Sequence, residues 1–203
     1  EADRMKNSIF DEKEVSSERT VIISEREGLE NEPTFRLSEA VQQTAFHVHP
    51  YHHEIIGDMA DLRTITRDDL YEHYRTYYVP NNSILTIAGD FQTKAMLKHI
   101  KELFEPVPMG KMPPRLNRPE PEPKGEVRLT VEGPGETTFI QVAYRFPNAA
   151  HPDYFPLQVL DSLLGGASGL SYKTSRLYRA LVDKEFAVDV SSWPEATIDP
   201  FLY

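Results

Sequence analysis

Between Pro106 and Pro123 the chain carries seven prolines, separated largely by lysine, arginine and glutamate. Proline has no backbone N–H and a fixed φ, so no regular helix can run through this stretch, and a central strand there would lose its ladder bonds. The stretch reads as an extended tether that divides the 203 residues into a helix-rich first part and a second part richer in strand patterning. The expected organisation is residues 1–105 in a first subdomain, 106–124 as a linker, and 125–203 in a second subdomain. With 39% apolar residues, ten Phe and ten Tyr, the chain has enough material for a core.

In the first part, a helix is expected over about Glu14 to Glu30, and a second after Pro33, where Phe35, Leu37, Ala40, Val41, Ala45 and Phe46 recur at three-to-four-residue spacing. Pro50 and Gly57 mark the intervening 46–57 segment as a loop. Thr66-Arg-Asp-Asp places a hydroxyl at a cap and acids in the first turn of a helix running to Tyr78. Ser83 to Gly89 then reads as a buried strand, and Thr93 to Phe104 as a helix. Beyond the tether, strands are expected at Glu126–Val131, Thr138–Phe146 and Phe186–Trp193, and helices near Asp153–Leu164 and Thr174–Asp183, with the loop Gly165-Gly-Ala-Ser-Gly between the helices. The expected fold class is α+β, with an antiparallel-rich sheet covered by helices in each subdomain.

A net charge of −10 disfavours nucleic acid or an anionic membrane as partner, because both require Lys and Arg to displace counterions. No apolar run reaches the length of a membrane span, and the expectation is a soluble globular protein. The opening Glu-Ala-Asp-Arg-Met lacks the pattern of a secretion signal and leads to the expectation that the true N-terminus lies upstream. With no cysteine, a metal would have to be held by His, Asp or Glu. The compartment stays open, with the cytoplasm as the default expectation.

The candidate site is a pair of glutamates, Glu18 and Glu25, in the first long helix. At about 100° per residue, seven residues bring both carboxylates to within about 20° of one another, roughly 10 Å apart along the axis. The wheel puts them near the line of Val15, Ile22 and Leu29, so burial with the apolar side is expected, and a metal ion, an arginine or hydrogen-bond donors should accompany them. One carboxylate could be a ligand while the other orients a ligand, a water or a substrate group. The same spacing also fits an ordinary solvated helix, since glutamate is a good helix former.

Several segments, taken in order, resemble the zinc metallopeptidases of the pitrilysin or insulinase family (M16). These are Glu18-Arg-Thr-Val-Ile-Ile-Ser-Glu25, His49-Pro-Tyr-His-His, Ile65-Thr-Arg-Asp-Asp-Leu-Tyr-Glu-His-Tyr, Tyr78-Val-Pro-Asn-Asn-Ser-Ile-Leu-Thr-Ile-Ala-Gly-Asp, Leu163-Leu-Gly-Gly and Ser175-Arg-Leu-Tyr-Arg-Ala-Leu. The resemblance implies a peptidase half of the mitochondrial-processing-peptidase type, with residues 1–105 as the C-terminal part of its first, zinc-site subdomain and 125–203 as the N-terminal part of its second. It implies zinc as cofactor, Glu25 as a metal ligand and Glu18 as an acidic residue supporting catalysis. It further implies peptide or unfolded-polypeptide substrates, cut in a chamber closed by a second half in the same chain or in a partner subunit.

The family's His-x-x-Glu-His motif, which supplies two zinc ligands and the general base, occurs nowhere in the 203 residues. The expectation is therefore an N-terminal-half fragment that begins after the motif and is inactive alone. The rival of another class is a noncatalytic structural or assembly subunit of the same fold. A second rival is a metal-binding loop at His47, His49, His52 and His53 near Glu54, although the loop lacks i,i+4 helical spacing. Arg176 and Tyr178 read as packing and capping residues, Gly165-Gly-Ala-Ser-Gly as a loop lacking the lysine of a phosphate cradle, and Tyr71, Tyr74 and Tyr78 as core or as an aromatic chamber wall.

Overall fold

The computed structural model describes residues 1–166, 172–195, 197 and 199–203. They form two compact units, one built from residues 1–32 and 53–120 and the other from 33–52 and 121–203. This division differs from a single cut at the proline-rich stretch, because the helix after Pro33 and the loop up to His52 pack with the C-terminal residues.

In the first unit, helix α1 (Ala2–Asn7) precedes α2 (Glu12–Glu30). Asp11 caps α2, its carboxylate accepting from the backbone N–H of Lys13 and Glu14. Val15, Arg19, Ile22, Arg26 and Leu29 form the covered stripe of α2 at three-to-four-residue spacing, and α2 packs on α4 (Met59–Thr64). Thr66 opens α5 (Arg67–Tyr77) with a complete capping box: its hydroxyl and Asp69 satisfy each other's backbone N–H. The helix stops before Pro80 because proline has no N–H to continue the ladder.

Helix α1 is held by side chains reaching to its backbone. The buried Tyr74 hydroxyl donates to Arg4 O at 2.9 Å and accepts from Ser8 N at 3.4 Å. Arg67 donates to Ile9 O at 2.8 Å and Phe10 O at 3.0 Å, and the Phe10 ring lies 5.9 Å from Tyr71 and 5.2 Å from Tyr74. Helix α6 (Thr93–Phe104) completes the helices of this unit. Asn81 bonds reciprocally to the backbone of Gly110, whose missing side chain leaves room for the buried Val79.

The second unit contains α3 (Pro33–Ala45), α7 (Tyr154–Leu164) and one antiparallel pair, β1 (Arg145–Phe146) with β2 (Phe201–Leu202). Phe46, fully buried, anchors this unit: Phe201 stacks at 5.4 Å, Tyr51 meets it edge-on at 5.6 Å, and the Arg145 guanidinium lies 4.3 Å from its ring centre. Arg145 also donates to Ala45 O at 2.8 Å. Ser175 is buried, and its hydroxyl caps a short helical segment that begins at Arg176 and winds as a π-helix over Tyr178–Val182. Residues 167–169 of the glycine-rich loop lie outside the described residues.

The strand expectations need correction. Among the described residues, Ser83–Gly89, Glu126–Val131 and Phe186–Trp193 form no ladder, and only the end of Thr138–Phe146 is paired. Alternating apolar residues call for a neighbouring strand to cover them, and here Ile84 is 95% and Val188 93% exposed. Among the described residues the architecture is a helix-rich α+β arrangement with strand pairing confined to β1 and β2. Among the described residues no helix is long and apolar enough to cross a membrane.

Candidate functional site

Both candidate glutamates lie on α2, and both are solvent-exposed, contrary to the burial expected from the helical wheel. Two arginines account for the difference. Arg19 and Arg26 occupy the centre of the covered stripe, which turns Glu18 and Glu25 onto its shoulder beside Val21, itself 56% exposed. Arg26 is only 5% exposed; its Nε donates to Glu30 at 2.8 Å and its NH1 to Gly57 O at 3.4 Å. Arg19 donates from NH1 to Ile65 O at 2.7 Å. A guanidinium whose aliphatic stem packs and whose N–H groups meet carbonyls can be buried where a carboxylate without donors cannot.

Glu18 and Glu25 therefore share one shoulder, as their spacing predicts, but among the described residues no cation or hydrogen-bond donor pairs with either. Open carboxylate oxygens are suitable donors to a hard or borderline divalent cation. The described residues contain no group of three or more His, Asp or Glu side chains arranged to hold a metal ion. The donor set thus fits single ligands of a zinc site and does not form a complete one.

The histidine loop is bonded elsewhere. His49 Nδ1 accepts from Tyr51 N at 3.1 Å, and its Nε2 faces Asp199 at 3.4 Å. His52 Nδ1 lies 2.6 Å from Phe46 O, and His53, in the other unit, lies 3.1 Å from Asp58. His49, His52 and His53 each bond a partner of their own, and among the described residues no group of three or more His, Asp or Glu side chains gathers there to hold a metal. The tyrosine series splits: Tyr74 is core, while Tyr74 and Tyr78 line an apolar cleft of about 560 Å³ with Phe10, Leu70, Ile84 and Phe104. No residue of α2 lines that cleft, so the glutamates stand apart from it.

Sequence reasoning missed Arg19 and Arg26, although their seven-residue spacing repeats that of the glutamates beside them. It also missed Asp161, which is 1% exposed and accepts from Ser192 Oγ at 2.6 Å and Tyr203 OH at 3.1 Å. Those partners lie 31 and 42 residues away, beyond the reach of any local pattern.

Residues 64–200 match the family described as the peptidase M16 inactive domain. The chain belongs to the peptidase M16 family. The matched span begins just before α5 and ends just before β2; α2 with its glutamates precedes it. The chain is 30% identical over 188 residues to a Helicobacter pylori protein named zinc protease PqqE, covering 91% of this chain and 41% of that one. It is 27% identical over 171 residues to a probable mitochondrial-processing peptidase subunit beta of Arabidopsis thaliana, covering 81% of this chain and 31% of that one. The crystal structure of a protease from Helicobacter pylori superposes with a TM-score of 0.76 at 27% identity, covering 95% of this chain and 46% of that chain. The chain therefore spans less than half the length of these relatives, and its fold is that of M16 peptidase domains.

Proposed function

We propose that this chain is part of a zinc-dependent endopeptidase in which Glu25 is a protein ligand of the metal and Glu18 orients groups around it. The observation that carries this reading is the pair of open carboxylates on one shoulder of α2, in a chain of the M16 family that has a relative named a zinc protease. When bound, zinc would supply Lewis-acid polarisation of the scissile carbonyl. Glu25 would contribute one carboxylate oxygen to its coordination. Glu18, two turns away on the same shoulder, would accept a hydrogen bond from a neighbouring ligand or substrate group. The remaining ligands and the general base would come from a His-x-x-Glu-His segment outside these residues.

The substrates proposed are peptides or unfolded polypeptide segments, held in a chamber that a second peptidase half closes. In that assembly Ser83–Gly89, Glu126–Val131 and Thr138–Phe146 would pair into antiparallel sheets with the helices on one side, covering the apolar residues that are now exposed. The test is hydrolysis of a quenched fluorescent peptide by the complete gene product. Activity abolished by a zinc chelator and by Glu25→Gln, and restored to the chelated wild type by zinc, is expected. A complete product that holds no zinc and cuts no peptide would instead support the noncatalytic assembly subunit.

A further inference from the structure

Arg19 and Arg26 stand in the same seven-residue register as Glu18 and Glu25, each arginine directly following a glutamate. Both reach the segment that carries α4, and at opposite ends of it: Arg19 bonds Ile65 O, just after the helix, and Arg26 bonds Gly57 O, just before it. Seven residues of α2 rise roughly 10 Å, so the two anchors lie about two turns apart on one line of the helix. One anchor on a cylinder permits it to swivel, whereas two along one line stop the swivel, and the packing of α2 on α4 blocks rotation about that line, so together they fix the roll. The acceptors are themselves fixed. Gly57 has φ +84°, a conformation that side chains rarely adopt, and its N–H bonds Glu54 O at 3.0 Å. Ile65 N bonds Asp61 O at 2.8 Å.

Such bonds cost little to form where the guanidinium is already packed, and losing one leaves a covered charge without that partner. Arg26 adds a bond to Glu30 on its own helix, which restrains the guanidinium from below. On the shoulder of the stripe nothing among the described residues ties Glu18 or Glu25 down, so the roll of the helix sets the direction in which both side chains leave it.

We infer that Arg19 and Arg26 are positioning residues: by clamping α2 at both ends of α4 they set the roll of the helix and so aim Glu18 and Glu25 in one direction. This rests on the reading of Glu25 as a metal ligand, but its structural content is measurable without metal. A roll of about 30° carries a side-chain tip at the outer radius of a helix about 3 Å, which would place a carboxylate outside metal-bonding distance.

The chain has no cysteine, so two spin labels can be placed cleanly, at Glu25→Cys and Glu72→Cys, both exposed and in the same unit. In the 203-residue chain, Arg19→Met with Arg26→Met is expected to shift the inter-label distance by about 3 Å or to double the width of its distribution, with helical circular dichroism retained. Arg26→Lys, which keeps the charge but replaces the rigid guanidinium fork with a single ammonium on a flexible stem, is expected to fall between wild type and Arg26→Met. A purely stabilising role would lower the melting temperature and leave the distance distribution of the folded chain unchanged, and that result overturns the inference. If the double variant loses its helical signal, the single variants decide: equal widths for wild type, Arg26→Lys and Arg26→Met overturn it. An intact protein that keeps zinc without Glu25 would refute the ligand reading and leave these distances untouched, so the two failures are distinguishable.

Discussion

Phe46→Ala tests the packing of the second unit most sharply. The ring is fully buried between Phe201 at 5.4 Å and Tyr51 at 5.6 Å, with the Arg145 guanidinium 4.3 Å from its centre. Removing a buried phenylalanine side chain costs about 3–5 kcal/mol from lost transfer energy and the cavity left behind. Within that total, each ring pair contributes about 0.5–1.5 kcal/mol beyond area burial, and the cation over the ring about 0.5–2 kcal/mol. Phe46→Leu keeps most of the volume and forfeits only the ring-specific part, so it should cost less than Phe46→Ala. The single tryptophan, Trp193, belongs to the same unit, so its fluorescence follows the unfolding of that unit in urea. A double-mutant cycle with Arg145→Met should return a coupling of about 0.5–2 kcal/mol. A loss below about 1 kcal/mol for Phe46→Ala, or a coupling indistinguishable from zero, would refute this account of the core.

Thr66→Ala should destabilise the chain by about 1 kcal/mol in urea unfolding, because it removes the cap of α5. The Thr66 hydroxyl, and then its backbone N–H, hold the Asp69 carboxyl below its ordinary range. A depressed carboxyl contributes stability above the ordinary carboxylate range and loses it as pH falls through the lowered value, so the gap between wild type and Thr66→Ala should narrow as pH falls through and below the ordinary carboxylate range. Burial pushes the Tyr203 phenol above the usual tyrosine range; the Ser192 hydrogen bond opposes this, and the bond and charge of Asp161 reinforce it. Its contribution to stability is therefore held below the ordinary tyrosine range and lost as pH climbs through the raised value. Asp161→Asn should move the phenol's titration downward, read at 295 nm as the difference from a Tyr203→Phe background; an unmoved midpoint would count against the contact. Asp161→Ala should cost more stability than Asp161→Asn, about 1–3 kcal/mol for each hydroxyl left without an acceptor.

What could be read from the residues alone was whatever local chemistry decides. Thr66 caps α5, Pro33 opens α3 with its three-to-four beat, and the segments expected as helices at Thr93–Phe104 and Asp153–Leu164 form α6 and α7, whereas the cap that Asp11 provides for α2 was not read. Helices α1 and α4, six residues each, are too short to display a period. The segments at 83–89 and 126–131 carry the alternation of strands, but alternation names only the need for a neighbour, and pairing depends on residues far away in the chain. At the site, the shared direction of Glu18 and Glu25 followed from spacing, because helix geometry is fixed. Their exposure did not, because the wheel treats arginine as a solvent residue, whereas Arg26 is buried by bonding Gly57 O and Glu30. The identity of the family was legible in several short segments together, none of which would have sufficed alone.

The central claim is that Glu25 is a zinc ligand, and zinc content measures it most directly. Elemental analysis of the complete gene product, purified without added metal, should find about one zinc per active site in wild type and in Glu27→Gln, a neighbouring exposed control, and little in Glu25→Gln. A Glu25→Gln protein that holds as much zinc as wild type, with unchanged affinity in competition with a chelator, would contradict the claim.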